Sequence, residues 1–544
     1  MRKLFLAISF IFPLVSLAIV DTRSAGYSKT FSDFKMNTLE VKRTYNSRSI
    51  YNGLFGFGWC SNIETKLRVL PDDTVKVVEC GGGMEISYHT KGKSPDTDLY
   101  IEKILEELKR QKVPMSPKNL EQLKRDLKAS SNLRSNFLNT LNIQGTAAKG
   151  LKYYARGRVK EYILVTSSGY VRHLANGNKE LFDKQGRLVK FKINNSTIEI
   201  SWNDNKIEII NDIGIRLELP LNKEKKVTKI LNNKKTIATY NYDDDNLVRA
   251  TNKSGTYQHQ YDKLYNLIKT IYPDKTKEEL RYNTKKDWVI GFTDKRGCKE
   301  SYDYRVNSKN PNHYFSDVEK VCGRKIVNKS KYEFWHKDKK EGGKYLHRAR
   351  VEVNGRIETD VTYHPNFATP ISFFRNGIRT KRKYDANGLL KEKDNERENV
   401  KYKNYSQKCV KPELVQIGYK DPNTKKIVKT ESISFQFDSK CKLRQAKKSN
   451  DEWIKISHNR DGQIMSMEDQ SRKKIQLTWN KKFNKPSMIT REGIGSIQII
   501  YDSKGEATTL KGLDQDPTVV SQVVSVFNNF LKTLTPVAGE MVIL

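Results

Sequence analysis

The strongest constraint on how this chain can fold is a turn that keeps returning. Four stretches share its form: FDSKCKL from Phe437, HNRDGQI from His458, WNKKFNKP from Trp479 and YDSKGEA from Tyr501, at intervals of 21, 21 and 22 residues. Each opens on an aromatic or His residue, follows it with Asp or Asn, and turns within a few residues. A fixed period in this range marks a repeat architecture. Asp or Asn bonds its own backbone two residues on and starts the turn, and Gly or Asn takes the left-handed position. Leu or Ile then returns to the sheet, and the aromatic is expected to pack against the next hairpin. Two strands of usual length plus two turns fill about 20 residues. One unit cannot bury its own face, so many must stack.

The same turn recurs upstream. It occurs at Phe182-Asp183, Trp202-Asn203, Tyr242-Asp243, Tyr261-Asp262, Tyr282-Asn283, Tyr363-His364 and Tyr384-Asp385. Between these turns β-branched and aromatic residues alternate with polar ones, and Asn176-Gly177 is a strong hairpin signal. The expected fold is mainly β: a long antiparallel meander of hairpin repeats forming a curved or wrapped sheet, with a small helical insertion and a C-terminal helix. Residues 150–510 are the repeat region and residues 19–94 a separate N-terminal β segment, in which Gly53, Gly56 and Gly58 alternate with Phe55, Phe57 and Trp59. Residues 95–149 form the insertion, because Ile101, Ile104, Leu105 and Leu108 recur at helical spacing and Ser116-Pro117 starts a second helix. Its expected role is a cap or spacer, or a docking surface for a partner. In the tail, residues 511–544, Val520, Val523, Val524, Phe527 and Leu531 predict a helix that covers one end of the sheet.

Tyr384-Asp385-Ala386-Asn387-Gly388-Leu389-Leu390 resembles the YD repeat of the bacterial Rhs family. Arg43-Thr44-Tyr45-Asn46-Ser47, followed by residues 53–59, resembles the N-terminal lead-in of such proteins. The resemblance runs over residues 39–510 apart from the insertion. It implies a place in a toxin-delivery or encapsulation system, with a toxin or cell-surface protein as partner. Two departures weigh against toxin cargo. Cys441 stands where the repeat expects Gly, and Asp516-Pro517 is followed by Thr518-Val519-Val520 rather than the motif that closes the Rhs core. The tail beyond is too short for an ordinary toxin domain.

Residues 1–18 have the three-part form of a secretory signal peptide. Arg2 and Lys3 precede an apolar run over residues 4–17, and Ser16-Leu17-Ala18 fits a small-x-small cleavage site. The run is short for a span of about 20 residues, so the mature chain is expected to carry no integral membrane span. Export leads to the periplasm, the cell surface or the medium. In that oxidising setting six cysteines imply disulfides. Their connectivity is open in principle. Separations of 20, 24 and 32 residues favour local pairs in a meander: Cys60 with Cys80, Cys298 with Cys322, and Cys409 with Cys441.

The chain bears a formal charge of +37, spread along its length. Lysines on strand faces and turns protect sheet edges, and the same excess attracts polyanions such as acidic polysaccharide. With 10% aromatic residues, Tyr and Trp on exposed faces would add stacking for sugars; the run Lys331-Tyr332-Glu333-Phe334-Trp335-His336-Lys337 is one such stretch. No catalytic residue, cofactor or metal is expected. The eight His include no metalloprotease or nucleophile-elbow arrangement, and no C-x-x-C occurs. Asp243-Asp244-Asp245-Asn246 lacks calcium-loop spacing and reads as a repeat turn. The expected function is non-enzymatic: binding, adhesion or surface scaffolding, with a polyanionic glycan as ligand. A component of an Rhs-type toxin system is the alternative.

Overall fold

The computed structural model describes residues 19–512, apart from 37, 82, 91–95, 142, 156–157, 159, 176, 194–195, 340–343, 473, 482 and 503–506. The expected signal peptide and C-terminal helix lie outside the described residues. The chain divides into two compact units, Met1–Thr359 and Asp360–Leu544.

The repeat turn works through three sets of hydrogen bonds. In the unit at Tyr261, the Asp262 carboxylate accepts from Leu264 N at 2.8 Å and from Asn266 N at 2.9 Å. Asp385 does the same for Asn387 N and Leu389 N, and Asp438 for Lys440 N and Lys442 N. The residue between takes a left-handed backbone: Gly388 at φ 85°, Gly462 at φ 81°, and Cys441 at φ 63°. The strand register shifts at the aromatic that opens the unit, as at Gln260/Tyr261, Lys383/Tyr384 and Ser457/His458.

The aromatic reaches back, not forward. Tyr261 Oη donates to Leu247 O at 2.9 Å, Tyr282 Oη to Leu267 O at 3.1 Å and Tyr304 Oη to Val289 O at 2.7 Å. Further along, Tyr405 Oη donates to Leu390 O at 2.6 Å, Trp479 Nε1 to Ile464 O at 2.8 Å and Tyr501 Oη to Pro486 O at 2.6 Å. Each acceptor is the residue that leaves the turn of the preceding unit. The expectation of packing on the next hairpin is therefore corrected. The apolar residue ending one turn is buried at Leu247, Leu267 and Val289 and half-buried at Leu390, Ile464 and Pro486, and its carbonyl takes its donor from the following aromatic. That is the chemical reason for Tyr and Trp at this position, since a Phe ring fills the same space without the donor.

In the first unit, strands run in sequence order from Lys152–Ala155 to Lys344–Val353, each antiparallel to the next. Strands Lys66–Val69, Val75–Val78 and Glu85–His89 extend this sheet at its start, where Tyr154 pairs with His89. Three helices interrupt the chain between those neighbours: α1 (Thr97–Arg110), α2 (Pro117–Ala129) and α3 (Ser131–Thr140). Asp96 caps α1 and Ser116 caps α2. Tyr100, Ile104, Leu127 and Leu138 make a small core of their own, seated on Leu70. In the second unit, strands from Pro370–Arg375 to Ala507–Gly512 again pair in order around an apolar core that includes Val400, Val415, Phe435 and Ile475. Among the described residues no helix is long and apolar enough to cross a membrane.

Tyr405→Phe keeps the ring but leaves Leu390 O without its donor. It should destabilise the second unit by about 1 kcal/mol, read as a lower denaturation midpoint and faster amide exchange in Leu390–Asp394. An unchanged midpoint would mean that the hydroxyl does not hold successive units together.

Candidate functional site: the docked lead-in segment

The N-terminal β segment builds a small sheet from Ile19–Asp21, Gly26–Met36, Leu39–Asn46 and Trp59–Ser61. It lies against the turn-bearing ends of the repeats and meets them one after another. Val289 N donates to Ala25 O, Leu267 N to Tyr45 Oη, and Val227 N to Leu54 O; Phe57 N donates to Asp245 O and Leu67 N to Gly186 O, all at 2.8–2.9 Å. At three of these turns the bonded N–H belongs to the residue whose carbonyl serves the next aromatic, or to its counterpart. Backbone meets backbone so closely that side chains are excluded. A Cβ on Gly56, at φ 105°, would stand 2.4 Å from Asp245 O, and one on Gly186 would stand 1.9 Å from Leu67 O. This explains the alternation of glycine and aromatic residues over 53–59.

Between these backbone ties the interface is polar and buried. Arg43 follows Val41 and precedes Tyr45 on the inward face of its strand, and its side chain is 0% exposed. Its Nε donates to Asp33 Oδ2 at 2.8 Å, and its Nη1 lies 3.2 Å from His259 Nε2. The guanidinium stands 4.4 Å from the Phe31 ring centre and 4.9 Å from that of Trp59. Asp33 also accepts from Tyr240 Oη at 2.9 Å and from Asn252 Nδ2 at 3.0 Å. Arginine only donates, so His259 Nε2 is the acceptor and Nδ1 carries the proton toward Thr270 Oγ1, 3.1 Å away. His259 is thus held neutral. Burial, reinforced by Arg43, pushes its pKa well below the ordinary imidazole value.

Two further groups flank this one. Lys29 Nζ pairs with Glu278 Oε1 at 3.1 Å, and Glu278 Oε2 accepts from Tyr27 Oη and Tyr272 Oη. Glu64 accepts from Tyr51 Oη and Leu54 N on one oxygen and from Ser61 N on the other. Burial pushes its pKa up to about 7 against these donors. Nearby, Lys226 Nζ reaches Asn52 Oδ1, Gly53 O and Asp245 Oδ1, and burial lowers its pKa.

The residues singled out in the sequence fall as follows. The six cysteines form Cys60–Cys80, Cys298–Cys322 and Cys409–Cys441, with Cα–Cα distances of 5.4, 4.3 and 5.2 Å. The first bond joins the small sheet to the hairpin turn at Glu79–Gly81. Asp245 lies in a repeat turn and holds Phe57 and Lys226. His173 stacks on Tyr162, His313 on Trp335 and His336 on Tyr314. Among the described residues no cluster of His, Cys, Asp and Glu has the form of a metal site. In the run at 331–337, Trp335 lies between His313 and Arg348, with Arg348 Cζ 4.9 Å from its ring centre. All six Trp are buried or half-buried, which corrects the expectation of Trp on exposed faces. The group Asp33–Arg43–His259 was missed. Its signal was available, because Arg43 shares the alternation of Val41 and Tyr45, and Asp33 that of Phe31.

Residues 30–88, within this segment, match the family described as "Domain of unknown function (DUF6531)". No curated protein matches the chain. Similar solved chains include that of "Crystal Structure of TcdB2-TccC3-Cdc42", 9% identical over 91% of this chain, with a TM-score of 0.27. Another is "Crystal Structure of TcdB2-TccC3 without hypervariable C-terminal region", 9% identical over 90% of this chain, with a TM-score of 0.30. This chain covers 30% of the length of each of those chains.

Asp33→Ala strands Arg43 as an uncompensated buried charge and should cost about 3–5 kcal/mol in urea unfolding. Glu121→Ala removes an exposed helical pair with Lys124 and should leave the urea midpoint essentially unchanged. Equal costs would refute the central place given to Arg43.

Proposed function

We propose that this chain is an exported, non-enzymatic β-repeat protein that acts in binding, adhesion or surface scaffolding and holds polyanionic glycan by charge. The observation that carries the reading is where the ionisable groups sit. Lys29, Asp33, Arg43, Glu64, His259 and Glu278, among the buried ones, strut one segment of the chain against another and are closed to solvent. The remaining positive excess is on the surface: Lys229, Lys235, Lys401, Lys403, Lys447 and Lys455 are exposed on strands. A protein with a +37 charge and its cations displayed in this way attracts polyanions, and salt weakens that attraction. Because the Trp rings are not exposed, the reading rests on charge rather than on sugar stacking. Three disulfides fit a chain that matures in an oxidising compartment.

A second reading, a component of an Rhs-type toxin-delivery or encapsulation system, is favoured by the lead-in segment. The residues that resemble the Rhs lead-in are the ones that dock across consecutive repeat turns. A toxin encoded beside the gene that co-purifies with the chain would favour this reading.

The first reading predicts retention on dextran sulfate at low ionic strength, release by about 0.5 M salt as screening shortens, and no retention on neutral dextran. On a glycan array, acidic glycans should be bound and neutral ones passed over. Failure to bind any polyanionic matrix at low salt would remove the glycan reading.

A further inference from the structure

The lead-in segment is held in two different ways along its length. Its second part, residues 52–67, is tied through backbone groups to Val227, Asp245 and Gly186 and through the Cys60–Cys80 bond to the main sheet. Its first part, residues 26–46, accepts from backbone N–H groups of the repeats at its ends, through Ala25 O and the Tyr45 hydroxyl. Its centre rests on side chains: Lys29 on Glu278, Asp33 with Arg43 on Tyr240, Asn252 and His259, and the Tyr27 and Phe31 rings on Phe292, Tyr257 and Tyr272; residues 43–45 are also laddered to 59–61.

The Arg43–His259 contact tolerates only one protonation state. Arg43 has no lone pair to offer, and the far side of the imidazole already faces Thr270 Oγ1. A proton on Nε2 would place two cations 3.2 Å apart in a site closed to water. The groups that face His259 give that second charge little relief. Arg43 is adjacent, and the Phe31 and Trp59 rings stand 5.6 and 5.1 Å away. The carboxylate of Asp33 is already engaged with Arg43, Tyr240 and Asn252.

We propose that residues 26–46 form an acid-released strap, which leaves the repeats and its ladder with Trp59–Ser61 when His259 takes up a proton, while residues 52–67 keep their own backbone ties to the repeats. The sign follows from linkage. The docked state keeps His259 neutral and the free strap leaves it with an ordinary imidazole near 6.5, so docking is complete above that pH and weakens below it. One proton taken up on release lowers the docking equilibrium about tenfold for each pH unit below about 6.5. Glu64 works in the opposite direction. Its pKa is raised in the docked loop, so burying it becomes easier as pH falls below about 7. Acidification therefore loosens the strap and firms the loop beside it.

Hydrogen exchange on the full chain at pH 7.5 and 5.5, corrected for intrinsic rates, tests the proposal. Protection of amides in 26–46 should fall about tenfold at pH 5.5, with 52–67 unchanged or raised and 398–437 unchanged. His259→Gln keeps an acceptor for Arg43 without a titrating ring and should abolish the pH effect; Arg43→Met, which removes the opposing charge, should reduce it. Unchanged protection of 26–46 in the wild-type chain at pH 5.5 overturns the proposal, whether or not either variant folds. So does loss of 52–67 together with 26–46, or a pH effect that survives in folded His259→Gln.

Discussion

The fold depends on hydrogen bonds in which the Tyr or Trp that opens a repeat donates to the carbonyl that ends the turn before it; Phe182 and Phe437, which have no donor, occupy the same position in their repeats. The Asp or Asn of a turn satisfies the N–H groups two and four residues on, and the left-handed residue lets the chain reverse. The register shift at the aromatic lets its side chain reach back to the carbonyl that ends the preceding turn. Stacking is therefore favoured by hydrogen bonding as well as by the hydrophobic effect. A unit without a successor has an unmade bond, and a buried polar group without a partner costs more than the net gain from making one. Leu390 and Tyr405 show the arrangement in its simplest form: the Leu that ends one turn is completed by the Tyr at the end of the next strand.

The lead-in segment answers the same need at the N–H of the turn. Leu267 and Val289 each give their carbonyl to the next aromatic and their N–H to the lead-in, through Tyr45 Oη and Ala25 O. The repeats thus place the segment's contacts at turn intervals, which selects glycine where backbones meet and aromatics between. Trp59 joins both systems, since its Nε1 donates to Tyr261 Oη, which in turn donates to Leu247 O.

How far the sequence discloses this structure depends on the range of the interaction. Turn chemistry is local: Asp262, Asp385 and Asp438 act within four residues, so their role is readable from the motif. Helical spacing at Ile101, Ile104 and Leu108 is local too. The direction in which an aromatic reaches is not, because a period of 21 residues is the same read forwards or backwards. The Trp rings were misplaced for a related reason. A Trp in a polar, alternating strand reads as exposed until the neighbours that cover it, such as His313 and Arg348 at Trp335, are known. The Arg43 group was the hardest to see, since Asn252, His259 and Glu278 lie more than 200 residues from the groups they hold.

That distance accounts for the buried charge. In the core of the second unit, neighbouring strands are set in register by the turns that join them, and aliphatic side chains suffice. The lead-in segment arrives from the other end of a long chain with no turn to fix its register on the repeats. An apolar ribbon could slide by two residues and still bury its inward face, because alternation repeats at that step. Arg43 cannot slide. Two residues away the Asp33–Arg43 pair, which travels with the segment, would lose Tyr240, Asn252 and His259 together and stay buried without the groups that complete its hydrogen bonds. Apolar replacements of similar volume would often be as stable, so stability alone does not require charge here. What charge adds is a single permitted position, and with it a sensitivity to protonation that an aliphatic interface would lack.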